Sequence, residues 1–378
     1  MVADPALSWT EISERALRHN LGVLRRLAGP ERALMAVVKA NAYGHGMLPV
    51  ARIALDAGAA WLAVFDLREA LALRAASISA PVLVFGPTPR EQIQAAAAAG
   101  ITLTIASPHA VDDVIAAAPA ALRVHLKLEC GTNRQGFLPE EFSHVARLAR
   151  LSGVVVDGAY THFADIEDTT DHSYAMQQLK LFDDRVALLG QLGVAPAQLH
   201  TACTAATLLF PETYFNLLRV GIGVYGLWPS KETLVSVKQS GREAVALEPV
   251  LTWKTRIAQV KPLPAGATVG YGRTYKTTRP TQLAVLPVGY ANGYDRGLSN
   301  KAHALVHGQR AKVIGRVMMN MTTLDVTDIA GAAADDEVVL LGSQGDERVS
   351  AETMASWLDT INYEVVTRAE PAGPRVVV

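Results

Sequence analysis

The 378-residue sequence predicts an α/β fold: a (β/α)8 barrel of the TIM type followed by a mostly antiparallel β domain. Two observations predict it. Short apolar runs recur at 33–38, 60–66, 81–86, 101–106, 123–128, 154–163, 199–203 and 216–225. Between most of them lie stretches with helical periodicity, such as Glu91–Ala99 and Pro108–Ala117. Eight strand–helix units within about 230 residues is the count of a barrel; a doubly wound sheet is the structural alternative. Beyond about Leu247 the periodicity changes to alternation, as in Leu251–Ala258, Gln282–Leu286 and Ala302–Val306. Turn signals separate these runs at Pro264-Ala265-Gly266, Ala291-Asn292-Gly293 and His307-Gly308-Gln309. The domains are therefore expected at 1–245 (barrel) and 246–378 (β domain).

Two helices outside the βα rhythm are also read from the sequence. One begins near Thr10 or Ser13 and runs to Ala28; the other covers Ser350–Leu358 with Ser350 as its cap. The formal net charge is −1 without a long run of one sign, so neither nucleic acid nor an anionic membrane is an expected partner. The two cysteines, Cys130 and Cys203, cannot build a disulfide framework, which fits a reducing cytoplasm. The N-terminus has no basic region followed by an apolar core, and no apolar run is long enough to span a bilayer. No metal site is expected.

The polar residues at strand ends carry the chemistry, because barrels place their reactive groups at the C-terminal mouth. Ala36-Val37-Val38 delivers Lys39 to that mouth, followed by a loop that opens a helix. A partly buried lysine has a lowered pKa and supplies free amine for Schiff-base chemistry with a carbonyl compound. The fifth strand carries His125 and Lys127 and runs into Glu129-Cys130-Gly131-Thr132-Asn133-Arg134. The sixth ends in Tyr160-Thr161-His162, the seventh in His200-Thr201-Ala202-Cys203-Thr204, and the eighth carries Arg219 before Gly221-Ile222-Gly223. That glycine pair allows backbone N–H groups to approach a phosphate. Each residue alone has a plain reading, such as a core histidine or a salt-bridged arginine; five polar groups on one rim read as a site.

Val37-Val38-Lys39-Ala40-Asn41-Ala42-Tyr43-Gly44-His45-Gly46 resembles the cofactor-lysine segment of the alanine racemases, and further matches extend over residues 8–370. The resemblance implies pyridoxal phosphate as cofactor, held by Lys39. His162, in a T-H-F-A segment, would stack on the ring. Tyr43, Thr204, Gly221, Ile222 and Tyr363 would hold the phosphate side, and Arg219 would meet the pyridine nitrogen. Because Arg219 stays charged, that nitrogen would remain unprotonated. Lys127 would be the lysine that many family members carry as a carbamate, orienting Arg134 towards the substrate carboxylate. In the second domain, Val269-Gly270-Tyr271-Gly272-Arg273-Thr274-Tyr275 is similar to the segment whose first tyrosine is the second base, working across a dimer interface. Tyr290 and Arg316 match entrance positions, and Met319 matches a residue whose backbone N–H meets substrate.

The implied activity is interconversion of L- and D-alanine by a cytoplasmic homodimer with shared sites, supplying D-alanine for peptidoglycan. The sequence departs from the family pattern at Glu129, Cys130, Thr132, Cys203, Asn292 and Asn320. Asn292 and Asn320 replace aspartates, so a broad-specificity or serine-preferring amino-acid racemase is the alternative. A barrel decarboxylase with the same cofactor would place a catalytic cysteine in the second domain, and both cysteines here precede residue 246.

Overall fold

The computed structural model describes residues 6–241, 245–369 and 373–378. The chain forms two compact units. One comprises Leu17–Ala42 and Met47–Glu248; the other comprises the residues up to Ala16, Tyr43–Gly46 and Pro249–Val378.

The first unit is built on eight parallel strands: Ala33–Val37, Trp61–Val64, Val82–Val84, Thr102–Ile105, Leu122–Lys127, Val154–Tyr160, Gln198–His200 and Leu217–Val220. They follow one another in sequence order around the sheet, and the eighth pairs with the first. The backbone N–H of Arg219 reaches the Ala202 carbonyl at 3.0 Å beside the seam between the seventh and eighth strands. Leu62, Ala63, Val82, Leu83, Val84 and Leu103 have no exposed surface, so the strands are apolar on both faces, as a parallel sheet covered by helices requires. Helices lie between successive strands, as the periodicity predicts. Asn20 ties the first helix, Glu14–Ala28, to the far end of the unit: its amide donates to the Val224 carbonyl (3.2 Å) and the Glu248 carbonyl (2.8 Å).

One irregularity interrupts the sheet. Between the fifth and sixth strands, Val124 pairs with Val156 but His125 pairs with Gly158, so Asp157 is the extra residue of a bulge. A Cβ on Gly158 would lie 2.6 Å from the His125 ring, so only glycine leaves room for that imidazole.

The second unit carries a mostly antiparallel sheet. Its order is Gln259–Leu263, Thr281–Leu286, Thr322–Asp325, Gln309–Val313, His303–Val306, Glu337–Gln344, Leu251–Arg256, Ser8–Ile12 and Arg375–Val377, with Glu347–Val349 paired to Glu337–Gln344. The only parallel pair among these named strands joins Ser8–Ile12 to Arg375–Val377. His307 and Gly308 both have positive φ and close a two-residue hairpin, the turn whose twist matches that of the flanking strands. Ser350 caps the helix Ala351–Leu358, accepting from the Thr353 N–H at 3.1 Å.

Two expectations need correction. The first helix begins at Glu14, directly after Ser13, one of its two expected starts; the other, Thr10, lies in the strand Ser8–Ile12. That strand pairs antiparallel with Leu251–Arg256, so the N-terminal residues, expected within a barrel domain of 1–245, belong to the β unit. The cause is the alternation Ser8-Trp9-Thr10-Glu11-Ile12, a strand pattern whose partner lies about 240 residues away and leaves no local signal. No helix among the described residues is long and apolar enough to cross a membrane. Replacing Gly158 with alanine is expected to cost about 1–3 kcal/mol through overpacking against His125, measured as a lower denaturant midpoint with an unchanged slope.

Candidate functional site

Lys39 sits just beyond the first barrel strand and is half-buried. Burial first, then the charge of Arg134, lowers its pKa, with Glu69 opposing. The segment after it is not the plain loop expected. Ala40, Asn41, Ala42 and Tyr43 all have φ between 51° and 56°, a left-handed turn of non-glycine residues. Each costs about 1–2 kcal/mol relative to a right-handed conformation. Flanking bonds hold the turn. Ala42 N–H donates to the Val38 carbonyl (2.8 Å), and Met47 N–H donates to Asn41 Oδ1 (2.8 Å). On its far side, Arg375 Nη2 donates to the Gly44 carbonyl (2.9 Å), and a Cβ on Gly44 would meet the Val366 carbonyl oxygen at 2.2 Å. The Tyr43 and Tyr363 rings stand 6.2 Å apart.

Arg219 is the centre of the barrel mouth. Its Nη1 donates to His200 Nδ1 (2.8 Å) and the His200 carbonyl (2.7 Å). Its Nη2 donates to the carbonyls of Thr161 (2.8 Å) and Thr201 (2.9 Å) and lies 3.5 Å from His162 Nδ1. Among the described residues its Nε–H makes no contact. Burial pushes the guanidinium down to about 10, so it stays charged at neutral pH. Burial and then the Arg219 charge hold both His162 and His200 well below the ordinary imidazole range, so both are neutral. Tyr160 stacks on His200 (ring centroids 4.8 Å apart) and lies under both Arg219 and Lys127.

Lys127 is buried, and burial followed by the Arg219 charge pushes its amine down to about 7. Its Nζ lies 3.3 Å from Thr161 Oγ1. Glu129, one of the departures from the family pattern, turns its carboxylate to the loop backbone, accepting from Gly131 N–H (2.6 Å) and Arg134 N–H (3.3 Å). Burial pushes Glu129 up, but the loop N–H groups and Lys127 together bring it below the usual range. Arg134 itself is exposed. At the other side of the mouth, Thr204 Oγ1 accepts from Gly221 N–H (3.0 Å) and Gly223 N–H (3.4 Å), next to Ile222. A Cβ on Gly223 would lie 2.6 Å from Thr204 Cγ2, so this cradle needs glycine. Burial, followed by Glu167, pushes the Cys203 thiol up to about 11; it is an uncharged neighbour rather than a nucleophile.

In the β unit, Tyr271, Tyr290, Arg316 and Met319 come from three separate segments and line one open cleft of about 660 Å³. Tyr271 is 73% exposed, held between two positive-φ glycines, and the Arg316 guanidinium backs that turn at Gly272. Asn320 lines the same cleft. Asn292 does not: its side chain accepts from the Gly289 N–H (3.1 Å), a turn cap that an aspartate would also make. Sequence reasoning assigned no role to His125 or to its contact with His200, and left Tyr160 as a strand end. The available signal was a histidine alternating with Arg123 and Lys127 on a strand whose other residues are apolar.

This is a (β/α)8 barrel whose mouth gathers a lysine of lowered pKa, a buried arginine and neutral histidines, with a separate β unit. Models of the alanine racemase N-terminal domain and C-terminal domain match residues 12–229 and 250–377. Alanine racemases from Leptospira interrogans (37% identical, covering 99% of this chain and 97% of the relative) and Desulforamulus reducens (42%, 98% of each) are similar along the whole length. Among solved structures, the alanine racemase from Bacillus anthracis with bound L-Ala-P superposes with a TM-score of 0.93 at 34% identity, over 100% of this chain and 96% of the other. That from Streptomyces lavendulae gives 0.90 at 38% identity, over 99% and 98%. The chain belongs to the alanine racemase family, and it is an isomerase.

Ala40 is exposed in its left-handed conformation. Ala40→Gly is therefore expected to leave stability unchanged or raise it by about 0.5 kcal/mol, where the same change in an ordinary helix costs about 1 kcal/mol. Thermal unfolding of the two proteins side by side checks the sign.

Proposed function

We propose that this protein interconverts L- and D-alanine with pyridoxal phosphate, using Lys39 and the partner subunit's Tyr271 as opposed bases in a cytoplasmic homodimer, and so supplies D-alanine for peptidoglycan. The observation that carries the reading is Arg219: a charged guanidinium whose terminal nitrogens are all engaged by the barrel and whose Nε–H is left over. A donor-only group in that position suits an unprotonated pyridine nitrogen. The other residues fit the same cofactor. Lys39 would hold its aldehyde carbon, His162 would stack on its ring, and Thr204 with Gly221, Ile222, Tyr43 and Tyr363 would hold its phosphate. When bound, pyridoxal phosphate supplies the electron-withdrawing system that takes up the electron pair left at Cα.

The chain's own groups do the rest. Arg134 and the Met319 N–H would fix the substrate carboxylate and so orient Cα–H towards a base. Lys39, with its lowered pKa, serves as base and acid on one face of Cα. The Tyr271 phenol serves on the opposite face; its exposure in the single chain suits a group that works on a neighbour. Tyr290 and Arg316 would line the substrate's entrance. Lys127 needs a neutral amine to react with carbon dioxide, and an amine brought down to about 7 provides one. The resulting carbamate would present a negative charge to Arg134.

The alternative of a broad-specificity or serine-preferring racemase now rests on Asn320, since Asn292 serves its own turn. Purified protein with pyridoxal phosphate in D2O, given L-alanine, L-serine and L-lysine separately, distinguishes these readings by Cα deuteration and final chirality. Exchange and racemisation of alanine alone support the proposal, exchange across all three supports the alternative, and exchange of none overturns both.

Two predictions follow from the residue roles. Lys39→Ala is expected to abolish the absorbance of covalently bound cofactor. Tyr271→Phe is expected to keep that absorbance and lower kcat by about 100-fold or more; turnover at the native rate would remove Tyr271 from the mechanism. Because the folded-state pKa of Lys127 is depressed, its free amine grows as pH rises through about 7. With 13C-bicarbonate, a carbamate carbon resonance should therefore gain intensity from about pH 6 to about pH 8 and be absent in Lys127→Arg.

A further inference from the structure

The contacts of Arg219 do not end at His200. His200 Nε2 lies 2.8 Å from His125 Nδ1, deep in the barrel where neither ring has exposed surface. His125 Nε2 faces Asp157 Oδ2 at 3.9 Å and has no other polar partner among the described residues. Asp157 Oδ1 in turn accepts from Arg123 Nη1 at 3.1 Å, and the Arg123 side chain is 62% exposed. A line of polar groups thus runs from the barrel mouth through its core to a solvent-facing ion pair.

Hydrogen-bond chemistry gives this line a direction. Arg219 has only donors, so His200 Nδ1 must accept. A neutral His200 then carries its proton on Nε2 and donates it to His125 Nδ1. His125 in turn carries its proton on Nε2, pointing at Asp157. The nearby His125, ahead of the Arg123 charge, keeps the Asp157 carboxyl below its usual range despite partial burial, so an anionic group faces the end of the line across 3.9 Å. Two backbone features coincide at this point. The bulge makes Asp157 the unpaired residue between Val156 and Gly158, and Gly158 removes the Cβ that would strike the His125 ring.

We propose that Asp157 is a positioning residue for Arg219: acting through His125 and His200, it fixes both imidazoles as Nε2–H tautomers and so holds the guanidinium with its Nε–H directed to the barrel mouth. The proposal rests on the reading of Arg219 as the partner of the cofactor's ring nitrogen. An outer partner that sets the tautomer of a histidine is a recognised way of orienting a group that meets the cofactor directly.

The test uses the full-length protein with 15N-labelled histidine, first without cofactor. The native protein should show His125 and His200 each with one protonated and one unprotonated ring nitrogen. In Asp157→Leu, which removes the acceptor, both pairs of resonances should move towards averaged values, and pyridoxal phosphate should bind about tenfold more weakly, with kcat falling more than KM changes. Asp157→Asn keeps a carbonyl acceptor and should recover most of the native pattern and affinity. If Asp157→Leu does not fold, the asparagine variant still decides: its smaller shift must reach His200 as well as His125, and a change confined to His125 overturns the proposal. Native resonances and native cofactor affinity in Asp157→Leu overturn it too. Arg219→Leu, measured in parallel, separates the two levels. If it binds cofactor as the native protein does, the underlying reading of Arg219 fails; if it alone is weakened, only the role of Asp157 fails.

Discussion

The mouth of the barrel is organised by one constraint: a buried guanidinium with no carboxylate beside it. Arg219 is 5% exposed, and among the described residues it makes no ion pair. A charge in that setting must be met by dipoles, and three backbone carbonyls and one imidazole lone pair meet it. The carbonyls belong to Thr161, His200 and Thr201, at the ends of the sixth and seventh strands, so the cation also fixes where those strands stop. Burial first, and its field second, set the state of its neighbours. His162 and His200 stay neutral, and the Lys127 amine becomes easy to deprotonate. Burial and this one charge together leave uncharged imidazoles and an amine of lowered pKa at the mouth. The depressed amine of Lys39 has another source, burial together with Arg134.

The β unit meets a different requirement. Its cleft is open and its central tyrosine is mostly exposed. The glycines on either side and the Arg316 guanidinium behind them give the Tyr271 turn a fixed shape without burying the ring.

The barrel was legible in the sequence because each strand is a short apolar run of its own, and the eight observed strands fall at the eight expected places. The barrel-mouth side chains were legible as polar residues where such runs end. Three features were not. The strand Ser8–Ile12 was hidden because its partners are remote in sequence. The left-handed turn was hidden because alanine and tyrosine carry no preference for it; only the flanking contacts impose it. The line from Arg219 to Asp157 was hidden because it depends on a one-residue bulge, a matter of register that composition does not record.

The turn after Lys39 has a consequence for the order in which the molecule can be completed. Just beyond it, Arg375 holds the Gly44 carbonyl, and that bond spans 331 residues. During synthesis Lys39 emerges from the ribosome among the first forty residues, while Arg375 emerges among the last few. A nascent chain can assemble every barrel strand before the bond from Arg375 to Gly44 is able to form.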